Sequence, residues 1–275
     1  MSNTDKKNNV QEMPMKKRVV YTAIFGGYDK LLEPKYADPN IDYICFTDDK
    51  NITSSVWRII YINEEGFDGN NARLNRKYKF LPHVYFPEYE ESLYVDGNIE
   101  ITTKNLSYAF EYALSNSDIS IPKHADRDCI YEEAYACIRI KKGDPNKIEE
   151  QMLFYQSQGY PEKNGLYENN VIFRKHKNTL VKKVMNQWYE AITIHSGRDQ
   201  LSLCYLLWLN SLSCKVFQWG PKYSNKFFRI KFHCSEMKLP LHKRASLHIL
   251  LNSKAKWYYG FLNKIINCIK DIRNS

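Results

Sequence analysis

Short apolar runs that end abruptly in polar clusters dominate the first hundred residues of this chain. Arg18-Val19-Val20-Tyr21-Thr22-Ala23-Ile24-Phe25 stops at Gly26-Gly27, Asp42-Tyr43-Ile44-Cys45-Phe46 runs into Thr47-Asp48-Asp49, and Val56-Trp57-Arg58-Ile59-Ile60-Tyr61-Ile62 forms a third run. Unbroken β-branched and aromatic stretches of this length predict buried strands. Between the third run and a fourth, Ser92-Leu93-Tyr94-Val95, the segment from Asn70 to His83 is rich in Arg, Lys and Asn, with apolar residues at 74, 78 and 81. Those spacings of four and three predict an amphipathic helix, punctuated by Pro82 and Pro87. The second half reads as more helical: Asn146 to Ser157, Thr179 to Ile192, and an apolar helix from Leu201 to Leu209 opened by Gly197-Arg198-Asp199-Gln200.

Strands alternating with helices predict an α/β fold, a single domain with a mostly parallel central sheet flanked by helices. In such sheets ligands gather beyond the carboxyl ends of the strands. Three of the four strands end there in polar groups: Gly26-Gly27-Tyr28-Asp29, Thr47-Asp48-Asp49 and Asp96-Gly97-Asn98.

Charge divides the chain further. Between Leu241 and Ser275 seven Lys and Arg face Asp271 alone, so this stretch carries six of the nine net positive charges. A nucleic-acid binder would spread its basic charge over the domain, so that class is disfavoured. Within the same stretch Tyr258, Phe261, Leu262, Ile265, Ile266, Ile269 and Ile272 recur at helical spacing, flanked by Lys264, Lys270 and Arg273. The pattern predicts a basic amphipathic helix, suited to an anionic membrane surface or to packing on its own domain. The resulting division is a polar leader over residues 1–17, expected to be disordered, a domain over 18–240 and a basic amphipathic tail over 241–275. The leader has no apolar core of the signal-peptide kind. The seven cysteines form no CxxC pair and several lie in apolar runs, which predicts reduced thiols and a cytoplasmic protein, peripheral on the inner face of the cell membrane.

Candidate chemistry concentrates in three places. Tyr94-Val95-Asp96-Gly97-Asn98 delivers a carboxylate, a glycine and a second oxygen donor from a strand into a loop. Mg2+ or Mn2+ bridging two phosphates favours such oxygen ligands, although Asp-Gly is also a leading hairpin signal. Upstream, Asn71, Arg73, Arg76, Lys77 and Lys79 supply cations or amides that could meet a diphosphate. Downstream, His124-Ala125-Asp126-Arg127-Asp128-Cys129-Ile130-Tyr131-Glu132-Glu133 packs six charged or ionisable side chains other than Cys129 and Tyr131 into ten positions. Such density marks a polar pocket or an acidic helix start.

Taken with Asn71-Ala72-Arg73-Leu74, Lys79-Phe80-Leu81-Pro82-His83, Tyr85-Phe86-Pro87 and Arg198-Asp199-Gln200-Leu201-Ser202, these blocks resemble one family in order and spacing over about residues 18–210. It is the glycosyltransferase domain found in bacterial polysaccharide proteins and in plant turgor- and mucilage-related proteins. The segment Leu166 to Arg174, running into Lys175-His176, looks like that family's acceptor side. The resemblance implies a GT-A-like fold, a nucleotide-sugar donor (UDP-linked) and a glycan, polysaccharide or lipid-linked glycan acceptor of a capsule or lipopolysaccharide type. It places Thr22, Asp48, Arg73, Arg76, Asp96, Gly97 and Gln200 at the donor, and His124, Arg127 and Asn170 at the acceptor. Asp96 and Asn98 would hold the metal, with Asp48 or His233 sharing it. Asp199, Asp128 and Glu132 are the candidate catalytic carboxylates. Asn98 stands where a second aspartate would complete the metal motif, so a non-catalytic binding module with the same fold is an alternative. A sugar-nucleotide nucleotidyltransferase is another, though Phe25-Gly26-Gly27-Tyr28-Asp29 makes a poor phosphate loop.

Overall fold

The computed structural model describes residues 16–63 and 69–274, with side chains placed as far as Ile269. Most of the leader expected over residues 1–17 therefore lies outside the described residues, as do the side chains of Lys270, Asp271, Ile272 and Arg273.

The three apolar runs form β1 (Arg18–Ile24), β2 (Ile41–Thr47) and β3 (Arg58–Tyr61). The amphipathic segment becomes α1 (Asn71–Phe80), whose N-cap Asn70 accepts a hydrogen bond from the Arg73 N–H at 3.0 Å. Pro82 lacks an N–H and opens a separate turn, α2 (Pro82–Tyr85). β4 (Glu91–Val95) and β5 (Ile99–Ile101) follow. Then come α3 (Leu106–Leu114), β6 (Ile119–Pro122), α4 (Ile130–Arg139) and α5 (Pro145–Ser157). After β7 (Val171–Arg174) stand α6 (Thr179–Ile194) and α7 (Asp199–Leu209). The chain closes with β8 (Lys215–Phe217), β9 (Phe228–Ile230), α8 (Cys234–Met237), α9 (Leu241–Asn252) and α10 (Trp257–Asn274).

The main sheet runs β3-β2-β1-β4-β7-β6-β8. β1 pairs in parallel with β2 on one side and β4 on the other, and only β7 runs against its neighbours. The expected mostly parallel α/β architecture is the observed one. The Asp-Gly hairpin is not formed, because β5 leaves β4 and pairs with β9.

Side chains of β1 alternate between two cores, as the period of a strand requires. Val19, Tyr21 and Ala23 enter the core shared with α1, α6 and α7, whereas Val20 and Ile24 enter the one shared with α3. Parallel strands covered on both faces must be apolar on both, hence the unbroken runs. Strand order turns back at β1: the chain leaves it toward β2 and β3 and returns through α1 to β4 on the opposite side. The crevice beyond the carboxyl ends of β1 and β4 is thus a topological switch point, where α/β sheets bind ligands.

One buried ring fastens the helical layer to this crevice. Trp188 of α6 stacks on Phe80 of α1 with centroids 3.7 Å apart and 11° between planes. Its indole N–H donates to the Asp199 carbonyl at 3.0 Å, which fixes the start of α7. Trp188→Ala should therefore cost about 3–5 kcal/mol, read as a lowered urea midpoint with an unchanged slope.

Candidate active site

Ala72, Asn75, Arg76 and Lys79 recur at three- and four-residue spacing, so one face of α1 lines a cleft of about 620 Å3 at the switch point. Two hydrogen bonds seat that face over the strand ends. The Asn75 amide donates to the Ala23 carbonyl at 2.6 Å, and the Tyr21 hydroxyl donates to the Lys79 carbonyl at 2.9 Å.

Lys79 is almost completely buried, with 3% of its side chain exposed. A lone ammonium there would be untenable, and two carboxylates hold it. Its Nζ lies 3.2 Å from Asp96 Oδ1 after β4 and 3.2 Å from Asp199 Oδ2 at the start of α7. Arg76 adds a guanidinium 3.9 Å from Asp199 Oδ1. Burial alone would raise the Asp199 pKa. Lys79, then Arg76 and Arg198, outweigh burial and hold the carboxyl well below the usual carboxylate range. The first-turn position on α7 further favours the anion. Asp199 is consequently a permanent charge whose oxygens are already engaged, and a weak proton acceptor at neutral pH.

Gly97 is required by the loop after β4. A Cβ there would sit 3.0 Å from both Asp29 Cβ and Ile24 Cγ1. Its absence lets the Asp96–Asn98 turn close against Asp29. Asp29 in turn holds His233, with Nδ1 2.8 Å from Asp29 Oδ1. Burial lowers the His233 pKa, but the hydrogen bond and charge of Asp29 outweigh it and leave the imidazole above its ordinary value. The other ring nitrogen, Nε2, faces the Asn98 amide at 3.2 Å. A carboxylate on one imidazole nitrogen is the outer-shell arrangement of metal-binding histidines, and a metal at the other would have to displace the Asn98 amide nitrogen. Among the described residues no three His, Cys, Asp or Glu group to hold a metal ion. A dication here would have to take Asp96, the Asn98 amide oxygen and His233, with the remaining ligands from substrate and water.

The far half of the cleft centres on His124, which is 5% exposed. Its Nδ1 accepts from the backbone N–H groups of Asp126 and Arg127 at 3.3 and 3.1 Å. The ring proton therefore sits on Nε2, which lies 3.8 Å from both Glu133 and Glu168. Burial lowers the His124 pKa despite those carboxylates, so the ring is neutral at neutral pH. Arg127 grips Glu133 Oε2 at 2.6 Å, and Lys222 grips Glu168 Oε1 at 2.7 Å. Asn169 lines the same half, is 4% exposed, and neither polar atom of its side chain has a partner among the described residues. Unpaired buried amides are uncommon, and this one borders the cleft. Neutral donors, amides and tethered carboxylates are what vicinal hydroxyls of a sugar engage.

The structure brings together Arg76, Asp96, Gly97, Asn98, His124, Arg127, Asn170, Asp199 and Gln200 from the sequence-based set. Others fall elsewhere. Thr22 is buried within β1 on the Val20–Ile24 face and does not line the cleft. Arg73 is exposed on α1, off the face formed by residues 72, 75, 76 and 79. Asp48 accepts from the Gly26 N–H at 2.9 Å and borders a separate cavity of about 150 Å3. Asp128 does not line the cleft, and Glu132 is exposed. Glu133, one residue later, is the inward carboxylate. Glu168 and Asn169, within the segment expected on the acceptor side, line the cleft although neither was singled out there, Lys222 joins the site without a sequence signal, and Lys79 and His233 take larger parts than their sequence context gave them. All seven cysteines are free thiols, four of them buried.

The family profile described as TOD1/MUCI70, glycosyltransferase-like domain, matches residues 2–219. Among curated proteins, the chain is similar to the "Probable hexosyltransferase MUCI70" of Arabidopsis thaliana, 25% identical over 211 residues. That alignment covers 67% of this chain and 36% of the relative. It is also similar to "Alkaline ceramidase TOD1" of the same plant, 26% identical over 281 residues, covering 87% of this chain and 60% of the relative. The chain thus spans less than two thirds of either relative.

Replacing Asp199 by Asn should expose the central constraint. The variant leaves the buried ammonium with one carboxylate and should lose about 3 kcal/mol at neutral pH. Because the folded-state pKa of Asp199 is depressed, its contribution is complete above the ordinary carboxylate value and fades as pH falls below about 4. Denaturant titrations across pH should show the gap between wild type and variant narrowing in acid.

Proposed function

We propose that this chain, which belongs to the TOD1/MUCI70 glycosyltransferase-like domain family, transfers a hexosyl unit from a nucleotide sugar to a glycan acceptor. The donor is UDP-linked, and the acceptor belongs to a surface polysaccharide or its lipid-linked precursor. The fold is read as GT-A-like. One observation carries the reading: a buried, carboxylate-anchored ammonium and a guanidinium stand at the switch point beside the Asp96 loop.

Transfer breaks the bond between the anomeric carbon and a diphosphate oxygen while the acceptor oxygen bonds to that carbon. Negative charge grows on the departing diphosphate, and fixed cations beside it lower the barrier without reorganising. Arg76 and Lys79 take this role, with Asp199 holding Lys79 in place. Asp96, Asn98 and His233 would hold Mn2+ rather than Mg2+, since an imidazole among the oxygens departs from the all-oxygen shell of Mg2+. The dication would add positive charge at the diphosphate. His124 Nε2–H and the Asn169 amide hold sugar hydroxyls. The acceptor proton passes to Glu168, whose Oε1 is held by Lys222.

A thermal-shift screen of nucleoside diphosphates with and without Mn2+ tests this reading, because a ligand of the folded state raises the midpoint by mass action. Stabilisation by UDP and slow release of UDP from a UDP-sugar would support it. Release of fatty acid from ceramide, with no response to any nucleotide, would favour the activity named for the second relative. Arg76→Ala should weaken UDP binding about ten- to a hundredfold while changing uridine binding little. Arg73→Ala, off the cleft face, should leave both within about twofold; equal losses for the two variants would remove α1 from the phosphate site.

A further inference from the structure

α9 and α10 form a helical hairpin beyond the part of the chain that the family profile matches. The two helices are tied together by His248 Nε2 and the Tyr259 hydroxyl at 3.1 Å. The hairpin meets the acceptor half of the cleft: Leu251 lines the cleft, and Lys254 Nζ lies 3.4 Å from Asp126 Oδ1. Asp126 is two residues from His124. On α10, Trp257, Phe261, Ile265 and Ile269 recur every four residues, so they share one stripe. They are 83, 60, 40 and 47% exposed. Tyr258 and Leu262 widen the stripe and are also exposed. Between Leu241 and Ile269 there are five Lys and Arg and no Asp or Glu.

We infer that this hairpin docks on an anionic lipid surface and holds the acceptor half of the cleft at the headgroup layer, where a lipid-linked glycan would enter. The substrate side of the inference rests on the transferase reading; the docking does not. An exposed apolar stripe larger than scattered single residues needs a cover. Among the described residues no helix is long and apolar enough to cross a membrane, so α10 would lie in the interface, its aromatic rings at headgroup level. A second copy fits the stripe less well. Two hairpins face to face would bring together ten basic side chains between residues 241 and 269 with no acidic residue in that stretch, Lys254 alone having Asp126 of the domain beside it, whereas anionic headgroups supply the missing charge. The geometry also sets the depth. Trp257 follows Lys254 by three residues, which is at most about 11 Å of chain, so the loop carrying Asp126 and His124 would stand close above the lipid.

Flotation of the full chain with vesicles of equimolar phosphatidylcholine and phosphatidylglycerol tests the docking without donor or acceptor. Binding should be strong at low salt, fall at high salt and be weak on phosphatidylcholine alone. Replacing Lys256 or Lys264 by Gln should reduce vesicle affinity up to about fivefold each. Trp257→Ser with Phe261→Ser should reduce it more than about tenfold. These exposed substitutions should leave the melting midpoint and the UDP-induced shift unchanged, so docking and donor binding fail separately. Equal binding to neutral and anionic vesicles, or full binding by the double variant, would overturn the inference. So would a dimer in solution that the double variant converts to monomer, since a second copy would then own the stripe.

Discussion

A single buried ammonium constrains the architecture of the site. Lys79 cannot lose its water unless anions replace it, and the two that do so come from the end of β4 and the first turn of α7. Those elements are far apart in the chain, and α1 is the third. Their convergence fixes where α1 crosses the strand ends and where α7 begins, and Trp188 locks the same geometry from behind through the Asp199 carbonyl. A cluster of one cation between two anions is a poor device for stability alone, because the desolvation cost offsets much of the attraction. It is a good device for keeping a positive charge fixed at a sheet's ligand crevice, where the diphosphate of the proposed donor would need it.

The two halves of the cleft differ in kind. Around Asp96 the side chains carry full charges, and His233 is pushed toward the protonated form by Asp29. Around His124 the ring is neutral, each carboxylate has its own cation, and Asn169 waits without a partner. A charged half suits phosphates and a neutral, hydrogen-bonding half suits sugar hydroxyls. Family membership as a glycosyltransferase-like domain agrees with that division.

Sequence alone revealed the first half of the sheet because β1, β2 and β4 are buried on both faces and therefore read as unbroken apolar runs. β8 and β9, three residues each, carry no such signal. Helix phase explains most displaced site residues. Arg73 and Arg76 look alike in the sequence, but only Arg76 lies on the face that Asn75 and Lys79 turn to the cleft. Glu132 and Glu133 are adjacent, and Ile130, Ala134 and Cys137 mark the buried stripe of α4. Glu133 falls on that stripe, a signal the sequence did contain. Thr22 follows from strand parity in the same way. Asn169 and the pairing of His233 with Asp29 had no local signature: what distinguishes them is a contact, or the lack of one, made across the fold.

The central claim is that the diphosphate binds between α1 and the Asp96 loop. A crystal structure of the protein with UDP and Mn2+ addresses it directly. The account predicts diphosphate oxygens within hydrogen-bond reach of Arg76 and Lys79, and an anomalous manganese peak touching Asp96, Asn98 and His233. A diphosphate lodged in the small cavity beside Asp48 and Asn70, or against His124 and Asn169, would contradict it.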